Sequence, residues 1–280
     1  MKKILITGSN SYVGTSLEKW LSDYPDRYSI DSISLRNELW KEKDFSEYDV
    51  VFHVAGIAHI KETKDNENFY YRVNCDLAYE TAKKAKNEGV KQFIFLSSMS
   101  VYGIESGVID KRSHLNPKSN YGKSKLQAEK LIKTLGDDVF KIAVIRPPMI
   151  YGKGCKGNYP RLVNLTLKLP VFPEIENKRS MIYIDNFCEF VRLLINDCSS
   201  GLYFPQNKEY VCTSEMIEMI AITHGKKIRM TRFFNPLLKL LKTNTLNKVF
   251  GDLVYDRVMS EYTSEYQVYE FKSSISLTER

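Results

Sequence analysis

A serine, a tyrosine and a lysine in the middle of the chain have the types and spacing needed for proton transfer. Ser98 ends the stretch FIFLSS, and Tyr121 and Lys125 lie in the segment YGKSK. Residues four apart share one face of a helix, and an ammonium group beside a phenol lowers the pKa of the phenol. The Ser98 hydroxyl could hold a substrate oxygen at the end of the preceding strand. Together the three residues could move a proton on or off an alcohol or a ketone.

The stretch KKILITGSNSYVG predicts a phosphate-binding turn near the N-terminus. A short apolar strand leads into a loop with Gly8 and Gly14 at two of the three positions where dinucleotide-binding loops usually have glycine, and Ser11 at the third. Gly8 can adopt a positive φ, and the N-terminus of the following helix offers N–H groups to a pyrophosphate. Ser11 can cap this helix or donate to a phosphate. We expect a dinucleotide site, although an ordinary strand, turn and helix could share this pattern.

The end of the second predicted strand bears on the choice of cofactor. In SISLRNEL, Arg36 stands where NAD-binding sites place an acidic residue for the ribose 2′-hydroxyl. Arginine can instead pair with the 2′-phosphate of NADP, and the alternative is an ordinary surface arginine. We predict NADP(H) as the favoured cofactor and NAD(H) as the alternative.

Apolar runs alternate with helical stretches through the first half of the chain. The predicted strands are 3–7, 29–35, 50–54, 92–97 and 141–145, and the predicted helices are 13–21, 73–87 and 123–135. This alternation predicts an α/β fold, a Rossmann-type doubly wound parallel sheet whose ligands bind beyond the carboxyl ends of the strands. We predict a dinucleotide-binding domain over 1–152, later crossing segments at about 176–198, and a smaller C-terminal substrate-binding lobe mainly over 153–280.

Composition and charge limit the classes of protein. The chain has 280 residues, 43% of them hydrophobic, and a net charge of +7. No run approaches the roughly 20 apolar residues of a membrane span, and the cysteines and histidines lack the spacing of a metal site. We predict a cytoplasmic protein with no metal, no nucleic-acid partner and no stable membrane insertion. Over 226–248 basic and apolar residues alternate, which favours a helix of the smaller lobe over a membrane-surface helix.

Five motifs, in order, resemble the extended short-chain dehydrogenase/reductase family of NAD-dependent epimerases, dehydratases and ketoreductases. They are TGSNSYVG, DVVFHVAG, VNCDLAYETAKKAKNEGVKQFIFLSSMSVYG, YGKSK and IRPPMIYG, within about residues 2–190. The resemblance implies Ser98, Tyr121 and Lys125 as the catalytic triad. It also implies a cofactor site formed by Gly8, Ser11, Tyr12, Val13, Arg36, Val54, Ala55, Gly56, Asn74, Tyr121, Lys125 and Pro148, with Pro147 and Pro148 framing the nicotinamide end.

The resemblance leaves the reaction open between two kinds of family member. Family dehydratases carry an Asp-Glu pair after the triad serine, whereas Met99 and Ser100 stand here, so we exclude dehydration. An epimerase keeps NAD⁺ tightly bound, and a reductase consumes NAD(P)H in each turnover. Arg36 favours the reductase, as does Met149, which stands where many epimerases have an asparagine. A non-catalytic dinucleotide-binding sensor is a remote alternative.

The segment NYPRLVNLTLKLPVFPEIENKRSMIYIDN resembles the part of the family that binds a UDP-sugar. The resemblance implies substrate contacts from Ser98, Ser100, Asn158, Arg161, Val171, Phe172 and Arg179. Arg179 would reach the diphosphate, because a guanidinium matches phosphate oxygens, and a structural ion pair is the alternative.

More narrowly, the chain resembles capsule and O-antigen ketoreductases. These reduce a UDP-2-acetamido-2,6-dideoxy-4-hexulose to a UDP-N-acetyl-6-deoxyhexosamine such as UDP-FucNAc, and a UDP-sugar 4-epimerase is the alternative. Many family members dimerise through two helices that pack into a four-helix bundle. We therefore expect a homodimer in which the helices over 73–87 and 123–135 form the contact, with a UDP-sugar as the small-molecule partner.

Overall fold

The structure is a computed structural model that describes residues 1–58, 60, 62–233, 235 and 250–280. The chain folds into two compact units, the first formed by Met1–Gly103, His114–Pro147 and Cys188–Pro205, and the second by Ile104–Ser113, Pro148–Phe187 and Gln206–Arg280. The predicted domain bounds, 1–152 and 153–280, stay a prediction. Residues 236–248 of the basic and apolar segment lie outside the described residues.

Strands and helices alternate along the chain. In order they are β1 (Lys2–Thr7), α1 (Tyr12–Ser22), β2 (Tyr28–Ile33), β3 (Val50–His53), α2 (Glu67–Tyr71), α3 (Leu77–Asn87), β4 (Gln92–Leu96), β5 (Gly107–Ile109), α4 (Asn120–Lys133), β6 (Lys141–Ile145), β7 (Met149–Tyr151), α5 (Asn158–Lys168), β8 (Val171–Pro173), β9 (Met181–Tyr183), α6 (Ile184–Asp197), β10 (Gly201–Tyr203), α7 (Thr213–Thr223), β11 (Arg229–Thr231), β12 (Leu253–Tyr255) and α8 (Phe271–Glu279). A π-helical segment, Arg72–Asp76, leads directly into α3.

The first unit contains a six-stranded parallel sheet in the order β10-β6-β4-β3-β1-β2. This confirms the predicted α/β fold with a central parallel sheet. All five predicted strands of the first half are present, with ends that differ by one or two residues. The sixth strand, β10, has only three residues, which is too short for an apolar run to reveal it.

The central strands are buried because both faces of a parallel sheet are covered. All four residues of β3 are buried, as are the last four of β1. The side chains that pack in this core include Leu5, Trp40, Phe45, Val51, Ala82, Phe93, Phe95, Ile132, Phe140 and Val144. Strands buried on both faces have continuous apolar sequences, and for that reason they are predicted well from the sequence.

The register of the sheet brings several strand ends to one edge. Thr7, the last residue of β1, pairs with His53, the last of β3, and Leu96 at the end of β4 pairs with Ile145 at the end of β6. Because the strands are parallel, the residues that follow these four ends emerge at the same edge. This carboxyl edge carries the predicted catalytic and cofactor residues of the first unit.

Within its described residues, the second unit contains three short parallel strand pairs. They are β5 with β12, β7 with β9, and β8 with β11. Helices α5, α7 and α8 belong to this unit. Among the residues that the structure describes, no helix combines the length and the hydropathy that crossing a bilayer requires.

Candidate functional site

The loop after β1 is fixed to the end of β2. The backbone N–H groups of Gly8 and Ser9 donate to the carbonyl of Ile33 at 2.8 and 3.0 Å. Gly8 has a φ of 97°, and a Cβ added to it would lie 2.8 Å from the backbone nitrogen of Ala55. Only glycine fits there, because any side chain would clash with the turn that follows β3. Asn10 takes the left-handed conformation, with a φ of 66°, which asparagine tolerates better than most residues.

Ser11, at the position where a glycine is usual, is the N-cap of α1. Its Oγ accepts a hydrogen bond from the Gly14 N–H at 3.1 Å, and its carbonyl accepts one from the Thr15 N–H at 2.9 Å. This is the first of the two roles expected of Ser11. The serine therefore stabilises the helix whose positive dipole end lies at the loop. Tyr12 and Val13 form the start of this helix and are half-buried.

The turn Val54–Gly56 follows β3 and lies beside this loop. The Val54 N–H donates to the carbonyl of Thr7 at 3.2 Å. Asn74 is fully buried; its Oδ1 accepts from the Ile57 N–H at 2.8 Å, and its Nδ2 donates to the Ile57 carbonyl at 3.0 Å and to the Ser124 Oγ at 3.1 Å. Asn74 therefore anchors the chain after the turn to α4.

Arg36 lies three residues beyond the end of β2. It is exposed, and its backbone N–H donates to the Oγ of Ser34 at 3.3 Å. Arg36 lies at the carboxyl edge of the sheet, next to β1. In sheets of this kind, a residue at this position contacts the ribose of a bound dinucleotide. The NADP preference drawn from Arg36 stays a prediction.

Ser98 is the N-cap of the 3₁₀ helix Met99–Tyr102, which directly follows β4. Its Oγ accepts a hydrogen bond from the Ser100 N–H at 3.1 Å and another from the Ser100 hydroxyl at 2.7 Å. The Met99 N–H donates to the carbonyl of Pro147 at 3.0 Å, which ties this segment to the end of β6. The predicted substrate residue Ser100 thus lies beside Ser98.

Two features bring the start of α4 to this segment. A Cβ added to Gly122 would lie 2.7 Å from the carbonyl oxygen of Ser100, so glycine permits this close approach. The carboxylate of Glu62 accepts the backbone N–H groups of Asn120 and Tyr121 at 2.9 and 3.1 Å. A carboxylate at a helix N-terminus is favourable because it meets the positive end of the dipole. Tyr121 is therefore held at a fixed position by its backbone.

The Tyr121 side chain is half-buried and its hydroxyl interacts with Ser98. Burial raises the pKa of Tyr121, and the hydrogen bond with Ser98 acts in the opposite direction. The prediction that Lys125 lowers this pKa is wrong for this structure. The Lys125 ammonium instead donates to the carbonyl of Leu96 at 2.8 Å and lies 4.7 Å from the centre of the Phe95 ring.

Lys125 is buried, with 4% of its surface exposed. Burial lowers its pKa to about 8, while Glu129 acts to raise it. His53 lies fully buried on β3, where its Nδ1 forms a 2.9 Å hydrogen bond with the Thr7 Oγ1. Burial, with a smaller effect from Lys125, lowers the pKa of His53 to about 3. At neutral pH Lys125 therefore carries a charge and His53 does not.

These features fit a nicotinamide dinucleotide. Gly8 leaves no room for a side chain where the backbone would approach a pyrophosphate, and the N-terminus of α1 offers a positive dipole to it. The Lys125 ammonium could donate to a ribose hydroxyl. The residues that would hold the cofactor are those of the β1 loop, the turn Val54–Gly56, Arg36 and Lys125.

In the second unit, Arg179 is half-buried. Its Nη1 donates to the carbonyl of Gly251 at 2.9 Å, and its backbone pairs with Val211 through two hydrogen bonds of 2.9 Å. Burial lowers the pKa of Arg179, and Asp252 acts in the opposite direction. The guanidinium hydrogen bond described here is to a carbonyl, so it leaves the positive charge available for an anionic ligand.

Val171 and Phe172 lie on β8, which pairs with β11. Phe172 is buried, and its ring centre lies 5.7 Å from that of Phe250, so its side chain belongs to the core of the second unit. Val171 is half-exposed. A substrate contact from this strand would therefore come from Val171 or from the backbone.

The remaining predicted residues of the second unit lie at its surface or at its start. Asn158 and Arg161 are exposed on the first turns of α5. Pro148 is buried and begins the segment Pro148–Phe187 of this unit.

Sequence reasoning missed four polar residues around the triad. Glu62 accepts hydrogen bonds at the start of α4, His53 interacts electrostatically with Lys125, and Glu129 pairs with Arg146. The sequence could have predicted that Glu129 lies near Lys125, because residues four apart share one face of a helix. It could not have predicted the contact of Glu62 with α4, because Glu62 comes from a loop distant in sequence from that helix.

Comparison with known sequences identifies the family. The profile of the NAD dependent epimerase/dehydratase family matches residues 4–207. The UDP-glucose 4-epimerase of Vibrio cholerae is 31% identical over 253 residues, which cover 80% of this chain and 76% of that protein. The N-acetyl-α-D-glucosaminyl-diphospho-ditrans,octacis-undecaprenol 4-epimerase of Escherichia coli O157:H7 is 25% identical over 255 residues, covering 84% of this chain and 76% of the relative.

Solved structures share the fold across the whole chain. The UDP-glucuronic acid 4-epimerase of Bacillus cereus in complex with NAD has a TM-score of 0.76 at 19% identity, covering 99% of this chain and 97% of that one. The dTDP-4-dehydrorhamnose reductase of Bacillus anthracis in complex with NADP has a TM-score of 0.74 at 17% identity, with coverages of 99% and 98%. At these identities the likeness establishes the fold. Together with the family profile and the Vibrio cholerae relative, it shows that this chain belongs to the NAD-dependent epimerase/dehydratase family, the extended short-chain dehydrogenases/reductases.

Proposed function

We propose that the protein is a UDP-sugar 4-epimerase that oxidises the sugar at C4 and reduces it again on the opposite face. The observation that carries the proposal is the placement of Ser98, Tyr121 and Lys125 at the carboxyl edge beside the β1 loop. Such a set needs a hydride carrier nearby. The Vibrio cholerae relative, named as a UDP-glucose 4-epimerase, supports the choice of substrate and of reaction.

Tyr121 carries the proton in this scheme. As the phenolate, its oxygen takes the proton of the 4-hydroxyl group when the sugar is oxidised, and the resulting phenol returns that proton when the 4-keto group is reduced. Ser98 holds the same sugar oxygen through its hydroxyl, since Ser98 interacts directly with Tyr121. The nicotinamide dinucleotide, when bound, accepts and donates the hydride at C4.

Lys125 contributes a positive charge near the proposed reacting groups. Its pKa of about 8 leaves it protonated at neutral pH, although it is buried. An ammonium in this position favours the phenolate form of Tyr121 if it turns from the Leu96 carbonyl towards the phenol. Lys125 would also hold the ribose of the cofactor.

The UDP part of the substrate is assigned to the second unit. Arg179 is proposed to bind the diphosphate, because its half-buried guanidinium can form paired hydrogen bonds with phosphate oxygens. Asn158, Arg161, Val171 and the backbone at Phe172 are proposed as further contacts with the nucleotide.

The test is to incubate the purified protein with UDP-glucose or UDP-N-acetylglucosamine, with and without added NAD⁺. We expect a mixture of the two C4 epimers, resolved by chromatography, with no net change in reduced-nicotinamide absorbance. Failure to convert either UDP-sugar at any cofactor concentration would contradict the epimerase proposal.

A second candidate, the 4-ketoreductase, is favoured by Arg36. An exposed arginine beyond β2 suits NADPH, which a reductase consumes and exchanges in each turnover. The substrate would be a UDP-2-acetamido-2,6-dideoxy-4-hexulose and the product a UDP-N-acetyl-6-deoxyhexosamine such as UDP-FucNAc. With this ketone and NADPH, the reductase would oxidise one NADPH per product formed, whereas an epimerase would not consume the cofactor.

The preferred cofactor can be measured separately from the reaction. A ligand at one hundred times its Kd stabilises a folded protein by about 2.7 kcal/mol, so unequal affinities give unequal shifts in Tm. If Arg36 reads a 2′-phosphate, NADPH raises Tm more than NADH does, and Arg36→Glu reverses the order. The homodimer and its helix contact stay predictions, which light scattering of the purified protein tests.

A further inference from the structure

A buried ion pair joins α4, the helix that carries Tyr121 and Lys125, to the residue that follows β6. The Nε and Nη2 of Arg146 donate to Oε1 and Oε2 of Glu129 at 2.9 and 2.6 Å. The two side chains are only 4% and 1% exposed. This two-point geometry is the strongest form of carboxylate and guanidinium pairing, and burial removes the screening by water.

The pair connects the three elements that position the triad. Glu129 belongs to α4, and it accepts a hydrogen bond from the hydroxyl of Ser97, the residue before Ser98 at the end of β4. Arg146 directly follows β6, and its Nη1 donates to the hydroxyl of Tyr102 at 3.0 Å. The ion pair therefore fixes α4 against the ends of β4 and β6.

Glu129 also acts electrostatically on Lys125. The two residues are four apart on α4, so their side chains share the buried face of the helix. Among the described residues, His53 on β3 also interacts electrostatically with Lys125, and it is neutral because burial lowers its pKa to about 3. Tyr121, one turn before Lys125 on α4, is an uncharged phenol at neutral pH because burial raises its pKa.

The groups around Glu129 complete the set of charges. Arg146 faces it from the end of β6, and Lys133 lies one turn further along α4. Ser97 and Tyr102 are uncharged. Among the described residues, Arg146 and Ser97 donate hydrogen bonds to the Glu129 carboxylate.

We propose that Glu129, paired with Arg146 on the buried face of α4, is a positioning residue whose charge acts on the Lys125 ammonium one turn before it. The inference rests on the catalytic role proposed for Lys125. Burial alone lowers the pKa of Lys125, and Glu129 is the carboxylate that opposes this effect. Without the charge of Glu129, a larger share of Lys125 would be neutral at physiological pH, and Lys125 would bind the ribose of the cofactor less firmly.

The decisive measurement is the titration of Lys125 in the cofactor-free protein. The Cε resonances of protein labelled with ¹³C-lysine are followed against pH, and Lys125→Met identifies the signal of Lys125. The wild-type midpoint should lie near 8. A midpoint close to that of free lysine, about 10.4, would overturn the inference without any variant.

Glu129→Gln keeps the shape of the side chain and removes its charge. The midpoint of Lys125 should fall by roughly one unit, the usual spread that neighbouring groups produce in folded proteins. An unchanged midpoint in folded Glu129→Gln protein would show that the pair has only a structural role.

Glu189→Gln is the matched control. Glu189 forms a similar pair with Arg192 on α6, with distances of 2.7 and 2.6 Å and with 9% and 12% of the side chains exposed. This substitution should lower Tm and leave the Lys125 midpoint unchanged. If Glu189→Gln shifted the Lys125 midpoint as much as Glu129→Gln does, lower stability of the whole protein would explain the shift. That result would overturn the inference.

The turnover assay separates this inference from the proposed function. If wild-type protein converts UDP-sugars, Glu129→Gln should lower by roughly one unit the pH at which activity is lost. If it converts none but the NMR midpoints shift as expected, the proposed function fails and the electrostatic role of Glu129 stands. Normal turnover with an unchanged pH profile in Glu129→Gln would contradict the inference and leave the proposed function intact.

Discussion

The triad in the first unit and the candidate substrate residues in the second unit are held in different ways. Ser98 caps a helix, Lys125 is buried against a strand carbonyl, and the backbone of Tyr121 is bound by Glu62. By contrast, Asn158 and Arg161 project from the surface of α5. The first region is fixed before any ligand arrives, and the second has side chains free to adapt.

Arg179 is intermediate between these two cases. Its backbone is paired with Val211 and its guanidinium donates to Gly251, yet it remains half-exposed. Catalysis requires reacting groups in near-final geometry, whereas affinity for a flexible diphosphate tolerates adjustment. The difference indicates that substitutions in the triad should affect the rate, and those in the second unit mainly the affinity.

Replacing Tyr121 by phenylalanine tests the first half of this comparison most directly. Loss of the phenol hydroxyl should reduce kcat by roughly 10²- to 10⁴-fold, the usual contribution of general acid–base catalysis, with little change in KM. Tyr79→Phe, at a half-buried position on α3, is the control and should retain activity. A Tyr121→Phe protein with full biological function would instead favour a non-catalytic sensor.

Arg179→Met and Arg161→Met compare the half-buried and the exposed arginine. A hydrogen bond to a charged group contributes about 1.5 to 3 kcal/mol, so Arg179→Met should raise KM roughly 10- to 100-fold while kcat changes little. Arg161→Met should raise KM only a few-fold because its side chain is exposed. Equal and negligible effects would remove both residues from the proposed UDP site.

Asn74→Ala tests how far the carboxyl edge depends on buried polar contacts. The substitution leaves the Ile57 N–H and carbonyl without their partner and should cost about 1 to 3 kcal/mol of the free energy of unfolding. Asn87→Ala, at an exposed position at the end of α3, should change it by less than about 0.5 kcal/mol. Denaturant unfolding of both variants measures the difference, and equal values would contradict an anchoring role for Asn74.

The smallest effect is expected at Ser11. Removing its cap in Ser11→Ala should cost about 1 kcal/mol of the free energy of unfolding, and Ser11→Gly only a few tenths. The Kd for NADPH of the glycine variant then reports whether the serine also affects the cofactor. A Ser11→Gly protein with unchanged Kd would assign Ser11 to helix capping alone.

Much of the first unit was predictable because its signals are local. Buried parallel strands are continuous apolar runs, and the segments between them have helical spacing. Gly8 and Ser98 closely follow strand ends, so the sequence also predicted that they would share one edge, and the spacing of Tyr121 and Lys125 predicted that these two share a helix face. The π-helical segment Arg72–Asp76 and the short β10 have no such pattern.

The sequence alone determined the fold class and the family motifs, and it predicted the residues of the triad. Only the tertiary structure decided where the charges of the triad act. The ammonium of Lys125 donates to the Leu96 carbonyl and is favoured by Glu129, which pairs with Arg146, whereas burial raises the pKa of Tyr121. The physical reason is that helical spacing sets which side chains share a face, whereas desolvation and pairing depend on what the other elements bring against that face.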